Sequence, residues 1–215
     1  LDIYERMAGH YGPTGWWPAE TPFEVAVGAI LTQNTAWSNV TRAIGNLKAR
    51  TLLTPRKMAS CPQEELASAI VPAGCFRVKA KRLHSFCAYL LERHHGSMRR
   101  MAGFPLDTLR AELIGISGLG PETADDILLY ACGKPVFVVD AYTQRILHRH
   151  GIIEAPMKYE PLRLLFESNL PSDVPLFQEF HGLLVQTGRD FCRPNPACDA
   201  CPLNPLLRPG QPVRR

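Results

Sequence analysis

Apolar side chains recur with the spacing of an α-helix along most of this 215-residue chain. Proline or glycine separates most of the periodic segments, which is typical of short helix–helix connections. Helices are predicted over residues 23–47, 64–70, 80–93, 107–114, 122–132, 141–150, 160–169 and 176–187, and a polar interruption at 32–35 allows the first to be two helices. Only Val136-Phe137-Val138-Val139 looks strand-like, and four residues do not make a sheet. The predicted fold class is all-α.

Size and cysteine usage narrow the class of protein. The chain is 46% hydrophobic, which is enough to bury one core or the cores of two small lobes. No run of about eighteen apolar residues occurs, so no membrane partner is expected, and no secretory signal is visible. Four of the seven cysteines are scattered and three cluster near the C-terminus. This usage suits a reducing cytosol better than a disulfide scaffold, so we expect a cytoplasmic protein.

Positive charge is concentrated in one segment. From Arg77 to Arg100 there are seven Lys or Arg against one acid, a local charge of +6 in a chain whose net charge is +4. Such a cluster can neutralise nucleic-acid phosphates by displacing their counterions. The alternative is an ordinary solvated helix face.

A glycine-rich turn lies between two predicted helices. It reads Gly115-Ile116-Ser117-Gly118-Leu119-Gly120, and Pro121 follows at a favourable first helical position. Glycines one residue apart permit a tight turn and the close approach of another backbone. The next helix would then present free N–H groups and its positive dipole end to a phosphate. The turn could equally be a plain helix connector.

About twenty residues further on, the apolar run ends in Asp140, immediately before the predicted helix at 141–150. Aspartate is a preferred N-cap residue, so capping alone is a sufficient explanation for this position.

These segments resemble the endonuclease III superfamily of DNA glycosylases. The glycine turn continuing through Pro121-Glu122-Thr123-Ala124, then Val138-Val139-Asp140, is similar to the helix–hairpin–helix, Gly/Pro-rich loop and Asp of that family. Leu31-Thr32-Gln33-Asn34-Thr35 resembles the helix bearing a gap-filling Gln, and residues 74–82 resemble the basic segment. The resemblance implies two all-α lobes with the active-site cleft between them. Residues 18–132 would form one lobe, with the hairpin motif at about 107–132, and residues 1–17 plus 133–215 the second, with a cysteine loop at 189–207.

The resemblance also implies a function and roles for individual residues. The expected function is base-excision repair of double-stranded DNA carrying a damaged base, by a monomer associated with the nucleoid. Asp140 would cap its helix while its carboxylate faces the sugar of the flipped nucleotide, and Gln33 would fill the vacated stack. The DNA backbone would be held by Ser117, Gly118, Leu119, Gly120, Arg77, Lys79, Lys81, Arg189 and Arg193. Some hairpins of this type bind a monovalent cation, which makes one a candidate ligand here.

One departure from the family bears on the reaction. Bifunctional members carry a Lys before Thr-Ala, and its amine attacks the sugar to form a Schiff base. The corresponding residue here is Glu122, which cannot form an imine. We therefore expect base release without β-elimination, although Glu122 is also explained by a favourable interaction with the helix dipole.

Aromatic residues indicate the substrate class. Trp16-Trp17-Pro18 ahead of Leu31-Thr32-Gln33-Asn34-Thr35, with Trp37 shortly after, is similar to the 3-methyladenine DNA glycosylase III branch. Its alkylated substrates are cationic, and aromatic faces suit a positively charged ring. Core or lobe-interface packing is the alternative role for these tryptophans. The alternative functions are an endonuclease III-like glycosylase for oxidised pyrimidines with weak or no lyase activity, and a non-catalytic protein that binds lesions or DNA structure.

The clustered cysteines, Cys192, Cys198 and Cys201, resemble the [4Fe–4S] loop of the family, in which four thiolates hold the cluster. The expected fourth ligand falls at Leu207, which has no donor atom. A cluster with three thiolates and an unidentified fourth ligand is expected, with zinc or an unmetallated loop as alternatives. Candidate fourth donors are Asp190, Asp199, Asn204 or a water.

Overall fold

A computed structural model describes residues 1–207, in which helices are the main regular secondary structure. Its α-helices are Asp2–Tyr11 (α1), Pro22–Thr32 (α2), Trp37–Ala49 (α3), Pro55–Ser60 (α4), Gln63–Ala69 (α5), Phe76–His94 (α6), Met98–Ala102 (α7), Leu106–Gly115 (α8), Pro121–Asp126 (α9), Ala141–Arg149 (α10), Tyr159–Asn169 (α11) and Val174–Asp190 (α12). Short 3₁₀ turns occur at Val71–Ala73, Cys198–Ala200 and Asn204–Leu206. No β-strand occurs in these 207 residues, and the all-α prediction is confirmed.

The chain divides into two compact units. The first is Pro18–Lys134, and the second joins Leu1–Trp17 to the chain from Pro135 onward. Among the described helices, none combines the length and apolar character needed to cross a bilayer.

The first unit is built around α2. Every residue from Phe23 to Leu31 is buried, as expected for a helix that is apolar on all sides. Thr21 caps this helix, its side-chain oxygen accepting from the Glu24 amide at 3.1 Å. The long helix α6 packs on α4 and α5 and also contacts α2. The polar break predicted at residues 32–35 is real, since α2 ends at Thr32 and α3 begins at Trp37.

The core of the second unit surrounds Phe137. Its ring stacks on Phe166 with centroids 4.0 Å apart and meets Phe177 and Phe180 edge to face. The Phe137 amide donates to Glu167 Oε1 at 2.8 Å. The apolar run that looks strand-like is therefore a buried connection without regular secondary structure, held against α11 and α12. The three valines of this segment are explained by burial rather than by pairing in a sheet. The segment leads directly to Asp140, the N-cap residue of α10.

Two kinds of difference separate the predicted helices from the observed ones. The helix predicted at 122–132 is α-helical only to Asp126 and continues as a π-helical turn, Ile127–Ala131. Three helices, α1, α4 and α7, are absent from the prediction. The last two span six and five residues, too few to show a repeated period, and α1 buries only Met7 among the ten residues it contains.

Candidate active site

Asp140 occupies the N-cap position of α10. Its Oδ1 accepts hydrogen bonds from the Thr143 amide at 2.7 Å and from the Thr143 hydroxyl at 2.9 Å. Thr143 is fully buried, and only 14% of the Asp140 side chain is exposed. The cap therefore fixes one carboxylate oxygen and leaves Oδ2 outside it.

A histidine faces that second oxygen. His181, on α12, places its Nε2 3.8 Å from Asp140 Oδ2, and its side chain is 5% exposed. Burial by itself would raise the pKa of Asp140, but His181 and the hydrogen bonds from Thr143 outweigh it and hold the pKa below its ordinary value. Asp140 is consequently an anion at neutral pH. No local pattern pointed to His181, because it lies 41 positions from Asp140 and meets it only through the packing of α10 on α12.

Trp16 packs against the same helix, α12, and Trp17 follows it in the chain. Thr14 anchors their segment, its amide donating to Glu179 Oε1 at 2.7 Å and its hydroxyl to Glu179 Oε2 at 3.0 Å. A Cβ on Gly182 would stand 2.7 Å from the Trp16 Cβ, so glycine is required for this approach. The two indole rings are half-buried with centroids 5.7 Å apart. Trp37, by contrast, is the half-buried first residue of α3 in the first unit.

The hairpin joins α8 to α9 in the first unit. Ser117, Gly118 and Gly120 are exposed, and Gly118 has a φ of 88°. Within residues 1–207 the amides of Gly118 and Gly120 make no backbone hydrogen bond. The prediction for Leu119 needs correction, because its side chain is 3% exposed and its amide donates to Ile116 O at 3.0 Å. Leu119 anchors the turn, and an amide already used inside the turn is not available to a phosphate.

Gln33 is bonded to this hairpin. Its Nε2 donates to Gly118 O at 3.1 Å and to the Thr123 hydroxyl at 2.9 Å, while its Oε1 accepts from Arg82. A Cβ on Gly118 would clash with the Arg82 side chain, which lies across the turn. The sequence did not identify Arg82 and Thr123 as partners of Gln33, because each contact joins residues that are far apart in the chain.

Lys79 is not a DNA contact. It is 1% exposed, and its Nζ donates to Leu31 O at 2.8 Å, to the Thr35 hydroxyl at 2.6 Å and to Ala73 O at 2.8 Å. Desolvation lowers its pKa. The ammonium joins the end of α2 to the loop that carries Gln33, so the prediction of a phosphate contact was wrong.

The other predicted basic residues and Glu122 lie at the surface. Arg77 is exposed and pairs with Glu64 at 3.4 Å, and Lys81 is exposed one position after Ala80. In the second unit, Arg189 is exposed and Arg193 donates to Asp190 O at 2.8 Å from its Nη2. Glu122 is exposed as the second residue of α9.

Three thiols line one small cavity in the second unit. Cys192, Cys198 and Cys201 border it together with Asn204 and Leu207. Burial raises the pKa of Cys198 and Cys201, and the neighbouring thiol charges raise it further. Leu207, at the position expected for the fourth ligand, borders the same cavity with a hydrocarbon side chain. Among the described residues, no group of three or more His, Cys, Asp or Glu has the spacing of ligands to a metal ion.

Two arginines of α10 hold the start of this cysteine loop. Arg145 donates to Cys192 O at 2.5 Å. Arg149, which is 7% exposed, donates to Cys192 Sγ at 3.3 Å, to Arg193 O at 2.5 Å and to Pro194 O at 3.1 Å. The helix that Asp140 caps is therefore fixed to the loop at its other end.

Comparison with known proteins identifies the family. Residues 27–172 match the HhH-GPD superfamily base excision DNA repair protein. The chain is 47% identical to a protein of Methanocaldococcus jannaschii named as a candidate DNA repair glycosylase, over 94% of this chain and 92% of that one. It is 31% identical to the endonuclease III of Thermotoga maritima, over 84% of this chain and 79% of that one.

Two solved structures extend the similarity. The H. pylori 3-methyladenine DNA glycosylase bound to an ethenoadenine superposes with a TM-score of 0.74 and 29% identity, covering 88% of this chain and 98% of that one. A non-covalent endonuclease III–DNA complex superposes with a TM-score of 0.79 and 25% identity, covering 96% and 92%. The resemblance read from the sequence is confirmed, and the chain belongs to the HhH-GPD superfamily of base excision repair DNA glycosylases.

Proposed function

We propose that this DNA glycosylase releases alkylated purines such as 3-methyladenine by hydrolysis and leaves the DNA strand intact. The observation that carries the proposal is the buried, anionic Asp140 carboxylate in a chain whose hairpin presents Glu122 at the lyase position. The similarity to the H. pylori glycosylase, solved with an ethenoadenine bound, supports the substrate class.

The proposed chemistry needs one carboxylate. Positive charge builds on the sugar as the C1′–N bond breaks, and a fixed anion already in position stabilises it. The electron pair leaves with the base, water adds at C1′, and the water proton passes to the Asp140 carboxylate. An alkylated purine is cationic in the nucleoside and leaves as a neutral base. No acid to protonate the leaving group is required, which suits a site with a single anionic carboxylate.

Base recognition is assigned to the tryptophans. Stacking and cation–π attraction both favour a cationic purine over an indole face. Trp16 packs on α12, whose His181 faces Asp140, Trp17 lies next to Trp16, and Trp37 starts α3 in the other unit. We propose all three as candidate faces for the extruded base.

DNA contacts are assigned to exposed groups. The Gly118 and Gly120 amides, Ser117 and the side chains of Arg77, Lys81, Arg189 and Arg193 would hold phosphates. Gln33 would exchange its hydrogen bonds to Gly118 and Thr123 for bonds inside the vacated stack. A monomer associated with the nucleoid remains the prediction.

For the cysteine loop we propose a [4Fe–4S] cluster held by Cys192, Cys198 and Cys201. Thiolates are the ligands that an iron–sulfur cluster takes, and all three line the same cavity, while zinc is the alternative ion for such a loop. Of the three side chains considered as a fourth donor, Asn204 borders the cavity, whereas Asp190 and Asp199 do not. Asp190 already has a partner, since its Oδ2 accepts from the Tyr11 hydroxyl at 3.2 Å. Such a cluster would stabilise the loop. Iron content and visible absorbance of anaerobically purified protein test this, and a colourless, iron-free, folded protein would contradict it.

The substrate class is tested with a panel of duplexes, each carrying one lesion. Free base identified by mass spectrometry is expected from the 3-methyladenine duplex at a rate at least about tenfold above that from oxidised pyrimidines, because only the alkylated purine leaves as a neutral base without acid assistance. Preferential release of an oxidised pyrimidine would instead favour the endonuclease III-like alternative, which the similarity to endonuclease III supports.

A further inference from the structure

One buried histidine is directed at the oxygen of Asp140 that the helix cap leaves unfixed. His181 stands in α12, where only 5% of its side chain is exposed, and its Nε2 lies 3.8 Å from Asp140 Oδ2. The position of α12 against α10 is closely set, since Gly188 packs directly on the Tyr142 ring with no room for a Cβ. This packing sets the position of α12, and with it the backbone of His181, beside α10.

The chemistry of this site is unlike that of an ordinary core position. Apart from His181 and Thr187, the side chains that α12 buries are apolar, among them Phe177, Phe180, Leu183 and Leu184. An imidazole in such surroundings loses hydration and is costly unless its polar atoms have partners. A leucine or phenylalanine would fill the same space without that cost, so the ring nitrogens need a reason beyond packing.

The carboxylate is approached from two sides. Oδ1 takes two hydrogen bonds from Thr143, and Oδ2 faces His181 Nε2. A distance of 3.8 Å exceeds the 2.7–3.2 Å of a direct hydrogen bond. Contacts of this kind are often long in the unliganded enzyme and shorten when substrate binds. A carboxylate held at both oxygens cannot rotate about its Cβ–Cγ bond.

We propose that His181 is a positioning residue for base release: its Nε2–H holds Oδ2 and so keeps the Asp140 carboxylate oriented toward the sugar. This inference rests on the proposed function of Asp140. His181 does not touch the nucleotide and takes up no proton in the reaction. Its contribution falls on the chemical step, and DNA binding does not depend on it.

The test is a series of substitutions measured by single-turnover base release and by affinity for a duplex with an abasic-site analogue. His181→Leu should slow release by about 10- to 100-fold, the effect of one hydrogen bond to a charged group, with the affinity changed less than about twofold. His181→Gln, whose amide nitrogen can reach the Nε2 position, should recover most of the rate. Leu183→Val, a buried change on the same helix, controls for altered packing and should keep the wild-type rate per folded molecule.

Three results with the variants would overturn the proposal: an unchanged rate in His181→Leu, a parallel loss of rate and affinity, or a His181→Gln protein as slow as His181→Leu. Nitrogen-15 NMR of the wild-type protein gives a test that does not depend on the folding of a variant. Protonated Nε2 is expected, and an unprotonated Nε2 at neutral pH would contradict the proposal. If wild-type protein released no base from any duplex, the proposed function itself would be wrong, and the role of His181 would fall with it. Activity lost in Asp140→Asn but kept in His181→Leu would remove only the role of His181.

Discussion

Replacing Asp140 with asparagine is expected to lower the single-turnover rate of base release by about 10³-fold or more while duplex binding persists. The amide oxygen of asparagine can still accept from Thr143, and Asn is as good an N-cap as Asp, so α10 should start at the same place. Only the negative charge is lost. Without it, the cationic sugar has no fixed anion and the attacking water has no base.

Asp140→Ala is the matched control for the capping role. It removes the cap as well as the charge, and it should cost about 1 kcal/mol of unfolding free energy that Asp140→Asn retains. The two variants should be equally inactive and differ in urea unfolding midpoint. Excision retained by a folded Asp140→Asn protein would show that this carboxylate does not carry the reaction.

Lys79→Met should destabilise the protein by about 2–4 kcal/mol. Methionine keeps the length and apolar character of the side chain, so packing around α6 is largely preserved. The loss lies in the three acceptors of the ammonium, Leu31 O, the Thr35 hydroxyl and Ala73 O, of which Ala73 O keeps a second donor in the Thr35 hydroxyl. Because these groups hold the end of α2 and the following loop, the damage should be centred on the loop of Gln33.

Urea unfolding monitored by circular dichroism measures this effect. Lys81→Met is the matched control, since Lys81 is an exposed lysine on the same helix and its loss should change stability by less than about 0.5 kcal/mol. Equal unfolding free energies for Lys79→Met and wild-type protein would mean that the buried ammonium contributes nothing net.

Local patterns in the sequence were sufficient for most of the helices, though not for α1, α4 and α7, and for the cap at Asp140. Helical periodicity predicted the longer helices, and a carboxylate directly before an apolar-periodic segment predicted the N-cap that the structure shows. The short helices α4 and α7 lacked enough residues for a period to appear. The π-helical turn at Ile127–Ala131 could not be predicted, because the spacing of apolar residues there did not distinguish it from an α-helix.

The prediction that Lys79 contacts the DNA backbone was wrong because it rested on the number of basic residues in the segment and not on which helix face they occupy. The basic segment was treated as one surface, although Lys79 lies four positions before Leu83 and seven before Phe86, on the buried face of α6. That spacing was a usable signal. No comparable signal existed for His181 or Arg82, because their contacts with Asp140 and Gln33 depend on how distant helices pack.

The most direct measurement follows free base and strand breaks in the same single-turnover time course, with wild-type protein in excess over a 3-methyladenine duplex. We predict one base released per duplex, with strands intact until alkali is added and no covalent adduct on borohydride treatment. Strand cleavage in step with base loss would show that this chain is a lyase despite Glu122. Tight binding of the duplex with no base released would show a protein that recognises the lesion without acting on it.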